Sequence, residues 1–249
     1  MKAILLAAGY GTRLYPLTKN KAKPLIEVAG KPMVEHIIAK IEELDLKDID
    51  KIIIVTNNKF YAQFCEWQEG FDSKIPIKIL NDMTLSNEDR LGAIGDINFA
   101  IKKENINDDI LIISGDNLFK FSIKEMHEMF KKNPTHLISL YDVKTQEEAK
   151  KFGIVSVDEN NRIIEFKEKP EQPKSTLASI GIYFYKKSIT DAIDRYLKEG
   201  NSADRPGDLV EWLYKRDKMN GFVFDKPGEK WFDIGSFESL AEANKEYSR

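Results

Sequence analysis

The sequence predicts an α/β fold, a mainly parallel sheet flanked by helices, and three observations carry that prediction. Short apolar, β-rich runs recur at Lys2–Ala7, Ile52–Thr56 and Ile110–Ser114. Stretches with helical apolar spacing separate them. The first run ends in a glycine-rich turn, and the third ends at Gly115. Strand, helix, strand at this spacing builds parallel units whose crossover helices cover both faces of a sheet.

Taken in order, Lys2–Ala7 reads as a buried strand. Val34, Ile37, Ile38, Ile41 and Leu44 recur at helical spacing. Ile52–Thr56 is the second strand, Ala93–Lys102 a helix, and Ile110–Ser114 the third strand. After about residue 145 the pattern changes. Ile154–Val157, then Asp158-Glu159-Asn160-Asn161, then Ile163–Lys167 reads as a hairpin. Ser179–Tyr185 adds a strand, and helices follow near Lys187–Leu197 and Asp208–Lys215. Met219–Phe224 reads as a strand and Phe237–Tyr247 as a closing helix. No repeat, low-complexity tract or linker interrupts the chain. One domain over residues 1–249 is expected, with a Rossmann-like half to about 145 and a mixed β half from about 146 laid against it.

The chain has 249 residues, 42% hydrophobic and 32% charged, which suits a globular protein with a real core. A formal net charge of −3 gives no reason to expect nucleic acid or a membrane as partner. Cys65, the single cysteine, excludes an internal disulfide, and no Cys/His zinc spacing exists. The apolar run Ala3–Ala8 is shorter than the roughly 7–15 residues of a signal peptide. A cytoplasmic location is expected. His36, His127 and His136 are isolated, the first two in predicted helices, and all three read as structural.

Ala7-Ala8-Gly9-Tyr10-Gly11-Thr12-Arg13-Leu14 directly follows the first strand. Glycines there let backbone N–H groups approach a polyphosphate. Arg13 adds a planar cation suited to phosphate oxygens. Gly-x-Gly alone fits a dinucleotide turn or a plain tight turn equally well. Against the dinucleotide turn, Leu14 stands where a third small residue is wanted, and Lys19, Lys21 and Lys23 offer more charge than one pyrophosphate bridge requires.

The run from Leu6 through Gly9, Gly11, Thr12, Arg13 and Thr18, then Lys23-Pro24-Leu25 and Gly30-Lys31-Pro32-Met33, resembles the signature of sugar-1-phosphate nucleotidylyltransferases. The resemblance extends from Lys2 to about Ala241. It implies that Leu6, Ala8, Gly9, Gly11 and Thr12 hold a nucleoside triphosphate. It further implies that Arg13 neutralises the leaving pyrophosphate and Lys23 contacts the α-phosphate. Ala22 stands where the family often has proline.

Ser114-Gly115-Asp116-Asn117 puts a carboxylate just past a buried strand, in the crevice where open α/β sheets bind ligands. Read alone, Asp116 suits either Mg²⁺ or a turn cap. The resemblance matches it to a metal-binding aspartate. Trp231-Phe232-Asp233-Ile234-Gly235 matches the motif whose aspartate completes that Mg²⁺ site, although an N-cap role is the other reading, and Ser236 could fill it instead. Glu168 and Lys169, in Glu-Lys-Pro, are implied to hold sugar hydroxyls and the sugar phosphate. Gly153, in Phe152-Gly153-Ile154-Val155, lets backbone approach the sugar, and Phe152 replaces a more usual tyrosine. Tyr183 either closes the sugar site or belongs to the core. Asn87 stands where the family's base-reading glutamine would be, and Gly92 where its base-contacting glycine would be. The base stays open, with uracil or thymine the first candidates.

The resemblance implies a direct displacement: a sugar 1-phosphate oxygen attacks the α-phosphorus and pyrophosphate leaves. Glucose 1-phosphate with UTP or dTTP is the favoured pair. Rivals are cytidylyl transfer to an alcohol phosphate such as phosphocholine, and a non-catalytic sugar-nucleotide sensor. The chain length suggests no appended β-helix acyltransferase, and a monomer or small homo-oligomer.

Overall fold

A computed structural model of the chain describes residues 1–133 and 135–248. The chain opens with β1 (Lys2–Leu6), then two single 3₁₀ turns, Thr12–Leu14 and Lys23–Leu25. A short hairpin, β2 (Glu27–Val28) and β3 (Lys31–Pro32), leads into α1 (Met33–Glu42). Next come β4 (Lys51–Thr56), α2 (Tyr61–Glu69), β5 (Ile77–Asn81), α3 (Ala93–Lys103), β6 (Ile110–Ser114) and β7 (Asn117–Phe119). They are followed by α4 (Lys124–Lys132), β8 (His136–Asp142), α5 (Gln146–Ala149), β9 (Gly153–Val157), β10 (Ile163–Glu168) and β11 (Leu177–Tyr185). The chain closes with α6 (Ile189–Lys198), α7 (Pro206–Leu213), β12 (Met219–Phe224), β13 (Trp231–Asp233) and α8 (Phe237–Tyr247).

Among the described residues, nine strands form one mixed sheet. Seven run in the order β10-β9-β11-β6-β1-β4-β5, and β8 pairs off that path with β11 and β12. The strands β6, β1, β4 and β5 are mutually parallel, while β11 lies antiparallel to β6. The sheet is continuous across residue 145, because β8 sits between two strands from later in the chain.

The uninterrupted apolar runs have a plain cause: both faces of the sheet are covered. On one face, Ala3 and Leu5 of β1, Ile52 and Ile54 of β4, and Leu111 and Ile113 of β6 join a layer with Val34, Ile37, Ile38 and Ile41 of α1. On the other, Ile4, Ile53, Val55, Ile110 and Ile112 meet Ile94, Ile97 and Ile101 of α3. Each Val, Leu or Ile among these contributes about 1.5–3 kcal/mol by leaving water. Truncating one, as in Ile112→Ala, costs about 2–5 kcal/mol.

The expected hairpin is β9 and β10, paired antiparallel. Asp158 closes its turn by accepting from the amides of Asn160 and Arg162, both at 2.9 Å. The longer elements α2, β5 and β8 were not predicted, nor were the short β2, β3, β7, α5 and β13. No helix among the described residues is long and apolar enough to cross a membrane.

Candidate active site

The parallel strands β1 and β6 end side by side, Leu6 opposite Ser114. Their exit loops therefore emerge together at the carboxyl edge of the sheet, the usual ligand edge of open α/β folds. The Gly115 amide donates to the Leu6 carbonyl at 2.9 Å and fastens one loop to the other. Three side chains pin the carbonyls of the glycine-rich loop. Thr56 donates to Ala7 (3.3 Å), Asn57 to Ala8 (2.8 Å) and Thr18 to Gly11 (2.7 Å). The 3₁₀ turn that follows buries Leu14 completely and leaves Arg13 exposed. The bulk of Leu14 thus anchors the turn that carries the arginine.

Lys23 opens the second 3₁₀ turn, with Pro24 next to it. Its ammonium donates to Asp116 Oδ2 at 2.9 Å. Asp116 lies between β6 and β7, and β7 pairs with β13 so that Asn117 faces Asp233. The Ile234 amide donates to the Asp116 carbonyl at 3.1 Å, and Trp231 Nε1 donates to Asn117 Oδ1 at 3.0 Å. A two-stranded ribbon thereby brings together two acids that are far apart in sequence. Ser236 caps α8 by accepting from the Ser239 amide at 3.2 Å, so Asp233 is not the cap.

The two acids titrate in opposite directions. Burial would raise the Asp116 carboxyl, but the Lys23 ammonium, with Arg13 behind it, outweighs burial and holds it below the usual range. Burial and then the Asp116 charge raise Asp233, against Lys23, Arg13 and Lys169. Among the described residues, no group of three or more His, Cys, Asp or Glu side chains could hold a metal by itself. Asp116 and Asp233 nevertheless fit a hard divalent cation. They are carboxylate donors whose mutual repulsion such an ion relieves, and water and phosphate oxygens would complete its shell.

Two cavities meet at this point. The smaller, of about 380 Å³, is lined by the predicted Leu6, Ala8, Gly9, Gly11 and Thr12. Lys23, Asn87 and Gly92 line it too. The larger, of about 780 Å³, is lined by the predicted Gly153, Glu168, Lys169 and Tyr183. Arg13, Ser114, Asp116 and Asp204 border both.

In the larger cavity, Glu168 ends β10 opposite Gly153 of β9. A Cβ on Gly153 would meet Phe166 at 2.5 Å and Glu168 Oε2 at 2.9 Å. A Cβ on Gly207 would meet the same oxygen at 2.5 Å. The carboxylate therefore sits in a slot that only glycines leave open. Burial raises the Glu168 carboxyl, against the charges of Arg205 and Lys169. Lys169 turns out of the strand at a φ of 46°, and its amide donates to the Phe152 carbonyl at 3.0 Å. Tyr183 serves both readings: it lines the cavity yet is 4% exposed and stacks on Tyr185.

The segment 203–207 was not predicted. Ala203 and Asp204 carbonyls accept the first amides of α3, from Ile94 (2.8 Å) and Ala93 (3.0 Å). Gly92 has a φ of 80°, and a Cβ there would lie 2.5 Å from the Ala203 oxygen. Arg90 forks onto Asp204 at 3.0 and 3.2 Å, joining the loop of the smaller cavity to the wall of the larger. The sequence signal was the Arg205-Pro206-Gly207-Asp208 run, which opens α7 with proline in its first turn.

Two cavities that share one charged wall suit a two-substrate group-transfer enzyme. The chain belongs to the nucleotidyl transferase family, whose sequence model matches residues 2–249. It is 33% identical over 247 residues to the bifunctional protein GlmU of Methanocaldococcus jannaschii, covering 98% of this chain and 54% of that protein. It is 30% identical to the bifunctional protein GlmU of Methanococcus aeolicus, with the same coverage. The chain thus spans about half the length of these curated relatives. Its fold is similar to that of a Bacillus anthracis protein assigned as a glucose-1-phosphate thymidylyltransferase and crystallised with a sucrose. The TM-score is 0.82 at 28% identity, covering 100% of this chain and 95% of that one. A UDP-glucose pyrophosphorylase complexed with UDP-glucose shares the fold, with a TM-score of 0.81 at 22% identity over 99% of this chain and 97% of that one.

Proposed function

We propose that this chain transfers a nucleotidyl group from UTP or dTTP to a hexose 1-phosphate, with glucose 1-phosphate the first choice. The products are a nucleoside diphosphate sugar and pyrophosphate. The observation that carries this reading is the junction of the two cavities at Arg13 and Asp116, where Lys23 also lies. One cavity takes the triphosphate along the glycine-rich loop, the other takes the sugar, and the reacting phosphates meet between them. The name of the 28% identical neighbour, which specifies glucose 1-phosphate and thymidylyl transfer, supports the choice of substrates.

The chemistry asks little of the protein beyond placement and charge. A sugar-phosphate oxygen, already anionic, attacks the α-phosphorus in line, and the bond to the bridging oxygen of pyrophosphate breaks. No protein nucleophile or strong base is needed. Lys23 meets the α-phosphate and Arg13 the departing pyrophosphate. Lys169 holds the sugar phosphate as a point charge, and Glu168 accepts from two sugar hydroxyls. Asn87 and Gly92 face the base. Asp116 and Asp233 would hold Mg²⁺, which when bound offsets charge on the phosphates. Fixed cations next to the developing charge lower the barrier because they need no reorganisation. The working setting is the cytoplasm.

The reverse reaction tests this reading. UDP-glucose or dTDP-glucose with radiolabelled pyrophosphate should yield labelled triphosphate. Label appearing only from a nucleotide-activated alcohol such as CDP-choline would defeat it.

A further inference from the structure

Asp82 and Asp96 stand at the two ends of the loop that faces the base in the proposed nucleotide site. Asp82 follows β5, and Asp96 lies in the first turn of α3. Residues 83–95 between them carry Asn87 and Gly92. Both acids are buried, each 6% exposed, and Asp96 borders the smaller cavity. Their carboxyl groups lie within hydrogen-bonding reach of each other.

One Asp82 oxygen is engaged. Oδ1 accepts from the Thr84 amide at 2.7 Å and from its hydroxyl at 2.8 Å. Among the described residues, Asp82 Oδ2 and Asp96 Oδ1 are buried and have no hydrogen-bond partner. Ionised carboxylates only accept, so two of them cannot satisfy each other. One proton held between the two carboxyl groups supplies the donor that neither ionised group has and removes the repulsion of two buried like charges.

We infer that Asp82 and Asp96 share a single proton, and that this carboxyl–carboxylate bond clasps the two ends of the base-side loop as a pair of positioning residues for nucleotide binding. The inference rests on reading the smaller cavity as the nucleotide site. The clasp reaches the cavity wall through Thr84, whose hydroxyl lies 3.3 Å from that of Tyr10, a lining residue. Asp89 bears on Asp82 as a further negative charge, and Glu88 and Asp89 bear on Tyr10. The Asp89 charge favours retention of the proton.

Burial first, then the Asp82 charge and bond, push the Asp96 carboxyl up to about 8. The folded chain therefore holds a proton that the unfolded chain releases near pH 4. The clasp's stabilisation is fully present at low pH and is lost as pH rises through about 8. Above that, two carboxylates face each other, the loop ends part, and nucleotide binding weakens.

The test uses the full chain with ¹³C-carboxyl-labelled aspartate, without ligand. One carboxyl resonance should titrate with a midpoint near 8 and vanish in Asp96→Asn, whose amide donates to Asp82 at every pH. Calorimetric titration with UTP and dTTP should show wild-type Kd rising about tenfold between about pH 7 and 9, as loss of a proton with this midpoint requires. Asp96→Asn should keep near-constant affinity over that range. If Asp96→Asn does not fold, Asp82→Asn donates from the opposite side and replaces it. A pair whose carboxyls both titrate below about pH 5, or a variant with the wild-type pH dependence, overturns the inference. Failure of either triphosphate to bind at any pH, with the carboxyl still titrating near 8, would count against the nucleotide reading and leave the shared proton standing.

Discussion

Lys23 Nζ lies 2.9 Å from Asp116 Oδ2, and the lysine is the more buried partner, its side chain 9% exposed against 36%. A buried ammonium needs its counter-charge. Asp116 thus fixes Lys23 while keeping an edge towards both cavities. If Asp116 and Asp233 share one Mg²⁺, Asn at either position keeps size but removes an anionic ligand. Each single change should cost about 10²-fold or more in rate, on the order of 3 kcal/mol. The double change should cost much less than the sum, because the two act as one site. Activity against Mg²⁺ concentration, with circular dichroism as folding control, reads this directly. Chelation of the metal should abolish turnover in the wild type.

Lys169 is exposed and turned towards the larger cavity by its positive φ. Lys169→Ala should raise the apparent KM for sugar phosphate far more than that for nucleotide. Steady-state kinetics with each substrate varied in turn checks it. Equal effects on both substrates would remove Lys169 from the sugar-phosphate site.

Gly153 leaves the slot that Glu168 occupies. The Cβ of Gly153→Ala would meet a ring carbon of Phe166 and an oxygen of Glu168. Overpacking of this kind costs about 1–3 kcal/mol. The variant should lose affinity for the sugar phosphate while nucleotide affinity, measured by calorimetry, stays unchanged. Glu168→Gln should weaken the same substrate without the loss of stability.

His136 is 2% exposed, and burial lowers its pKa despite the nearby Asp217. The unfolded chain therefore protonates it at a higher pH than the folded chain does. The sign follows: its contribution is present above the unfolded value, about 6.5, and is lost as pH falls below it. Between about pH 7.5 and 5.5 this loss opposes the gain from the Asp96 proton, so as pH falls the urea midpoint of His136→Asn, which offers an oxygen to the Lys186 amide in place of Nδ1, should shift upward relative to that of the wild type.

The parallel core was legible because its strands are buried on both faces, so Ile52–Val55 and Ile110–Ile113 carry no polar interruption. β8 was not, because its polar members find partners only in the fold. His136 Nδ1 accepts from Lys186, and Ser139 Oγ accepts from the Ile182 amide at 3.2 Å. α2 was missed since among its residues only Phe64 is buried. The motifs announced Arg13, Lys23, Asp116 and Asp233 one at a time, and the β7–β13 ribbon supplies their proximity. The pairing of Arg90 with Asp204, and of Asp82 with Asp96, was not legible, because nothing local tells which acid meets which partner.

The forward reaction is the most direct test of the proposed activity. The full chain is given glucose 1-phosphate, Mg²⁺ and each of the common nucleoside triphosphates, and pyrophosphate release is measured alongside chromatography of the nucleotide products. With UTP or dTTP, one nucleoside diphosphate glucose should form for each pyrophosphate released, and none without the sugar phosphate. Turnover only with a non-sugar phosphate such as phosphocholine would contradict it.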